Sequence, residues 1–227
     1  MQLMTHHVTS RGGRPVNDDA LKEVIQQKFA LLALADGLGG HGGSALAAHQ
    51  CLETIASAFS PAPGLPDAAL QTMVEEADRA VATLRRDQRN PPSSMRTTLA
   101  FFAIFGNDAR WAHVGDSRVY WFRHNVLMQR TRDHSVSEFV MGLPDRTSVT
   151  PPDKANRHRL LRAVGAGEGC RAEPATLLSG CRRTMRSYYA AMAFGVSCLI
   201  LRSRGAWRRP PPLSSGAPLW NKGCMST

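Results

Sequence analysis

The chain has 227 residues and a formal net charge of +10, with 43% hydrophobic and 20% charged residues. That length is ample for one buried core, and that composition excludes a wholly disordered or fibrous chain. The charge would suit a nucleic acid or an anionic membrane, but it is segregated: from residue 181 onward there are eight basic residues and no Asp or Glu, leaving 20 basic against 18 acidic groups before it.

In chain order, residues 1–14 lack an apolar core of signal-peptide length. Residues 29–35 (FALLALA) read as a strand buried on both faces, ending in the turn signal Asp36-Gly37. Residues 44–59 are Ala-rich and helix-compatible, with Ser44 as N-cap, and SPAPGLP at 60–66 ends that helix. Over 67–87, Leu70, Met73, Val74, Ala77, Val81 and Leu84 form one apolar stripe at helical spacing, opposite Glu75, Glu76, Asp78, Arg85 and Arg86. Packing on a core explains that helix, and no chemistry is assigned to it.

Strands are expected at 97–105, 110–114, 118–123 and 127–131, joined by turns at Gly106-Asn107-Asp108, Gly115-Asp116 and His124-Asn125. Short links between successive strands imply antiparallel pairing, and a helix pair with such strands gives an α+β layered domain. Residues 156–165 could hold a helical turn. The longest apolar run, 190–201, is about half of the ~20 residues a membrane-spanning helix needs. Five irregularly spaced cysteines argue against a disulfide framework or a zinc site. A cytoplasmic monomer, with no membrane or nucleic-acid partner, is the expectation.

Three acidic positions sit at strand ends or tight turns: Asp18-Asp19, Asp36 and Asp116. Neighbouring carboxylates at buried strand ends repel one another, and hard divalent cations with oxygen ligands relieve that repulsion. Gly37, Gly39 and Gly40 would let a metal or phosphate approach the backbone. Each feature alone has an ordinary explanation: Asp-Gly is a common turn, an Asp pair is usually solvated, and a loop histidine such as His41 is usually a surface residue.

Together, and in this order, RPVNDD at 14–19, ADGLGGH at 35–41, RTTL at 96–99, AHVGDSR at 112–118 and TRDHS at 131–135 give a chain that resembles the metal-dependent protein phosphatase 2C (PPM) family in a minimal bacterial form. The resemblance covers roughly residues 8–180. It implies an αββα sandwich of two antiparallel sheets flanked by helices, with a site for two Mn²⁺ or Mg²⁺ ions and a weaker third. By the same resemblance Asp19 and Asp36 would be metal ligands, Asp36 bridging the ions, and Gly37 would offer its carbonyl. Asp18 would hold metal-bound water, Arg14 would bind the substrate phosphate, His41 would protonate the leaving oxygen, and Asp116 would serve the third ion. The implied reaction is hydrolysis of phosphoserine or phosphothreonine, on proteins modified by a Ser/Thr kinase, by metal-activated water.

The resemblance stops near residue 180. The family would supply a strand ending in a motif like LLCSDGLW and a later Asp, both aspartates binding metal, yet no acidic residue follows Glu173. Back-translation offers a reason. Residues 184–195 (TMRSYYAAMAFG), read from the third base of codon 184 with suitable synonymous codons, permit DAFLLCSDGFW. The expectation is therefore a partial phosphatase domain over 1–180 and an out-of-frame tail over 181–227 that is not natively folded, leaving sheet edges open and activity impaired. The alternative is a catalytically inactive pseudophosphatase that binds phosphoproteins.

Overall fold

The computed structural model describes residues 3–11, 13–27, 29–39, 43–59, 66–87, 95–105, 108–123, 126–143, 156, 159–167, 173–177, 188–194 and 197–203. Its centre is strand β3, Phe29–Leu38, reached from β1 (Leu3–Val8) and β2 (Asp19–Ile25). Side chains alternate along a strand, so the unbroken apolar run divides between two cores. Leu31, Ala33 and Ala35 join the cluster under the helices, and Ala30, Leu32 and Leu34 join a second cluster with Phe102, Trp111, Val119 and Trp121. The FALLALA strand is therefore longer than its apolar letters, because Asp36, Gly37 and Leu38 continue the pairing.

Helix α1 (Ser44–Ala58) and helix α2 (Asp67–Asp87) form the layer above that strand. The expected stripe of α2 is buried, with Leu84 partly so. Asp78 departs from expectation: it is buried with the stripe, at 3% exposure, and accepts the Gly165 N–H at 2.7 Å. Ser44 is also not the N-cap; Gly43 occupies that position, and Ser44 is the first helical residue.

Strands β4 (Arg96–Thr97), β5 (Leu99–Phe105) and β6 (Asp108–Val114) follow, then β7 (Arg118–Arg123) and β8 (Val126–Arg130). A short helix α3 (Val136–Met141) is capped by Ser135, and β9 (Glu173–Leu177) joins the first sheet. Among the described residues, one sheet runs β2-β3-β5-β6-β9, with β4 on β3, and its pairs are antiparallel. The Phe102–Trp111 stack, at 5.8 Å between ring centres, lies in the core that the facing sheet covers. Residues 159–167 form no helix: Leu160 and Val164 make isolated bridges to Ser135 and Thr97. The expected turn residues Gly106, Asn107, His124 and Asn125, and most of the 60–66 breaker, lie outside the described residues.

The facing sheet runs β1-β11-β10-β7-β8 and contains two strands of the basic tail, β10 (Tyr188–Phe194) and β11 (Ser197–Ser203). Of the tail over 181–227, for which no native structure is expected, the described residues are 188–194 and 197–203. β10 pairs with β7 and β11 pairs with β1, both antiparallel. The physical reason is that a ladder is made by main-chain N–H and C=O groups. Extended apolar segments can occupy the gap whatever their side-chain chemistry.

The two-sided burial of β3 sets the stability. Leu31→Ala, at 0% exposure, is expected to cost about 2–5 kcal/mol. Val126→Ser, at a position 59% exposed, should stay within about 0.5 kcal/mol. Urea denaturation of both variants checks the contrast.

Candidate metal-binding active site

The pairing of β2 with β3 places Asp19 directly opposite Asp36. One more main-chain bond, from the Gly37 N–H to the Asp18 carbonyl at 3.1 Å, locks the register beyond the strand ends. Asp36 is held on its other side by two threonines. Its N–H donates to Thr98 Oγ1 at 3.0 Å, and its carbonyl accepts from the Thr98 N–H and from Thr97 Oγ1, each at 2.9 Å. The backbone of this aspartate is thus fixed at both its N–H and its C=O.

The Asp36 carboxyl is buried, and its Oδ1 has no hydrogen-bond partner among the described residues. Arg14 lies 3.8 Å away through Nη1, an ion pair without a hydrogen bond, and its side chain is 59% exposed. Burial, first, and then the hydrogen bond and charge of Asp19 push the Asp36 carboxyl up to about 9, against the opposing pull of Arg14. The negative charge of Asp116 adds to the same rise, which brings the third predicted acid to this site.

Asp116 sits on the turn between β6 and β7, where Gly115 takes a φ of +96°. Its Oδ1 is buried without a hydrogen-bond partner among the described residues, and burial followed by the charge of Asp133 raises its carboxyl to about 6. The turn is clamped from two directions. His134 donates its backbone N–H to the Gly115 carbonyl at 2.9 Å and accepts the Gly115 N–H on Nδ1 at 3.2 Å. Ser117 Oγ lies 2.6 Å from Thr98 Oγ1. Beside the clamp, Arg118 forks onto Asp133 at 2.6 and 2.5 Å, and the His113 and His134 rings stack at 4.5 Å.

The remaining predicted residues divide. Asp18 is buried, and its Oδ1 accepts the Ser44 hydroxyl at 2.8 Å, so it ties the site to the first turn of α1. Gly37 is needed for space of another kind than foreseen: a Cβ there would lie 2.3 Å from the Ser44 carbonyl oxygen and 2.9 Å from that of Asp18. His41 and Gly40 lie outside the described residues. Sequence reasoning assigned no site role to Thr97, Thr98, Ser117, Ser44 or His134. The available signal was Thr-Thr heading an otherwise apolar strand, where two buried hydroxyls need partners.

The donors that meet here are oxygens, which suits a hard divalent cation. A pair of opposed carboxyl groups, of which Asp36 is buried with an oxygen left without a hydrogen bond, is what such a cation would relieve. Among the described residues, however, no group of three or more His, Cys, Asp or Glu side chains is placed to hold an ion. Asp19 and Asp36 fit one edge of a metal shell and do not complete it.

Residues 9–169 match the family model described as Protein phosphatase 2C. The chain is 30% identical over 144 residues to the serine/threonine protein phosphatase PstP of Mycobacterium tuberculosis; that alignment covers 63% of this chain and 27% of PstP. The chain thus spans about a quarter of that relative's length. In fold it is similar to the S. agalactiae serine/threonine phosphatase, with a TM-score of 0.70 and 17% identity over 88% of this chain and 99% of that one. It is also similar to the catalytic domain of PstP in complex with two manganese ions, with a TM-score of 0.63 and 26% identity over 84% of this chain and 76% of that one. The architecture is accordingly the α+β sandwich of these phosphatases. Among the described residues no helix is long and apolar enough to cross a membrane.

Two outcomes follow from this geometry. Between pH 4 and about 9 the folded state keeps a proton on Asp36 that the unfolded state has released. The folded state then binds more protons, so stability falls as pH rises through that window. In chelator, urea denaturation from pH 5 to 8 should show that fall, and Asp36→Asn should flatten it. Gly37→Ala should lower stability by about 1–3 kcal/mol through overpacking against Ser44, read as a reduced urea midpoint.

Proposed function

The chain belongs to the protein phosphatase 2C family, and on that premise we propose a metal-dependent protein serine/threonine phosphatase whose activity is impaired in this polypeptide. The observation that carries the proposal is the Asp19–Asp36 pair, opposed across two strands, with Asp36 buried and flanked by Arg14. Its substrate would be a protein bearing phosphoserine or phosphothreonine, the product of a Ser/Thr kinase.

Mn²⁺ or Mg²⁺ would be held by Asp19, Asp36 and the Gly37 carbonyl, with Asp116 toward a third ion. When bound, these ions would supply water acidified to near neutral pH and would offset phosphoryl charge. The chain's own residues have separate tasks. Arg14, exposed at the mouth and only loosely paired, can turn its guanidinium to a phosphate as a two-pronged donor. Asp18, fixed by Ser44, would hold water beside the pair. His41, which follows β3 in the sequence, would return a proton to the leaving Ser or Thr oxygen.

Impairment follows from the acids that are missing after Glu173. The register of the tail supports the frame-shift explanation. Met192 lies opposite Val119 and Ala193 opposite Arg118, and Arg118 is two residues beyond Asp116. The hidden Asp-Gly overlaps codons 192 and 193, so in the alternative frame a carboxylate would fall beside the Asp116 turn. The same missing acids favour the second reading, a pseudophosphatase that binds phosphoproteins without hydrolysing them.

The full chain with Mn²⁺ should hydrolyse p-nitrophenyl phosphate weakly or not at all, and vigorous manganese-dependent turnover would refute impairment. The nucleotide sequence across codons 178–196 should contain DAFLLCSDGFW out of frame; a locus without it removes the frame-shift. The frame-restored protein should be at least ~100-fold faster, the order of loss when one charge-stabilising group is removed. Calorimetry with Mn²⁺ separates the two readings, because a phosphoprotein-binding module need not take up two ions.

A further inference from the structure

We infer that Thr98 is a positioning residue that holds the Asp36 and Asp116 carboxylates in a fixed relation to each other through a buried hydroxyl pair. The inference deepens the proposed metal site and rests on that reading for its functional meaning. Its structural part stands without metal.

Thr98 and Ser117 are both 0% exposed. Thr98 Oγ1 accepts the Asp36 N–H at 3.0 Å, and the same oxygen lies 2.6 Å from Ser117 Oγ, where either hydroxyl can donate. One oxygen therefore ties the end of β3 to the residue that follows Asp116. The methyl branch packs on the same turn: a Cβ added to Gly115 would lie 2.7 Å from Thr98 Cγ2. Thr98 also donates its backbone N–H to the Asp36 carbonyl, so Asp36 is held at both main-chain groups by one residue.

The alternative tethers do not duplicate this link. Of the two acid-bearing segments, the described hydrogen bonds of Thr97 reach only that of Asp36, and those of His134 reach only the Gly115-Asp116 turn. Of these three residues, Thr98 alone has described hydrogen bonds that reach both carboxylate-bearing segments. Both threonine branches serve the contact, which explains a β-branched hydroxyl residue: valine keeps the shape and loses the bond, whereas serine keeps the bond and loses the methyl.

The test uses the full chain and the variants Thr98→Val, Thr98→Ser and Ser117→Ala, each checked for folding by thermal melting. The first readout is amide hydrogen exchange in metal-free protein. Exchange at the Asp36 N–H should rise roughly five- to tenfold in Thr98→Val, the loss of one net hydrogen bond. It should stay near wild type in Thr98→Ser and in Ser117→Ala, while Ser117→Ala loosens the His134 N–H that clamps the turn. The second readout is Mn²⁺ affinity by electron paramagnetic resonance of free Mn²⁺. Thr98→Val should weaken it by a similar factor, Thr98→Ser should restore it, and Asp116→Asn should matter less in the Thr98→Val background than in wild type.

Unchanged Asp36 exchange in folded Thr98→Val overturns the proposal, as does a serine variant as defective as valine. If Thr98→Val does not fold, Ser117→Ala decides, since it breaks the link and leaves the Asp36 bond; an unaltered turn in that variant overturns the proposal too. Wild-type protein that takes up no Mn²⁺ but shows the exchange pattern defeats the metal reading and upholds the positioning role.

Discussion

Two carboxylates are forced to face each other at the point where β2 meets β3. Asp19 and Asp36 are paired by strand register, and Asp36 is buried with an oxygen that no described group hydrogen-bonds. An arrangement of this kind costs stability, since burial and a like charge both disfavour the ionised form. The surrounding structure is built to hold it nonetheless. Threonine hydroxyls grip the Asp36 backbone, Ser44 grips Asp18, and the apolar body of β3 is anchored in two cores at once. Strain of this sort persists where a bound cation or substrate later offsets it.

The hydrogen bonds near the site form a connected set. Val164 pairs with Thr97, Thr97 and Thr98 hold Asp36, Thr98 meets Ser117, and His134 closes the turn that carries Asp116. Asp78 of α2 joins that set from outside by fixing Gly165. Helix, strand ends and turn thus share one polar seam between apolar layers. In such a seam every group is desolvated, so each missing bond is costly and geometry is tightly specified.

The basic tail shows how differently backbone and side chains depend on sequence. β10 and β11 pair between β1 and β7 because main-chain ladders accept most extended apolar segments. A metal shell does not share that tolerance, because it needs carboxylates at particular positions. Most of the +10 charge lies in that tail, which has eight basic residues and no Asp or Glu.

The sequence by itself determined a good deal. FALLALA gave a strand buried on both faces, the stripe of α2 gave its packing side, and five ordered motifs gave the family. Those features are legible because periodicity and motif spacing are local. Several parts were not legible. β2 has mixed burial without alternation, and nothing in it announces a partner. Asp78 looked solvent-facing until Gly165 came to meet it from a distant segment. Gly37 looked like room for a ligand, and the closeness of the Ser44 and Asp18 carbonyls to where a Cβ would stand is visible only in the fold. The facing of Asp19 and Asp36, and the hydroxyl bridge from Asp36 to the Asp116 turn, were decided by tertiary structure. Register and burial join residues far apart in the chain, and no local pattern encodes those distances.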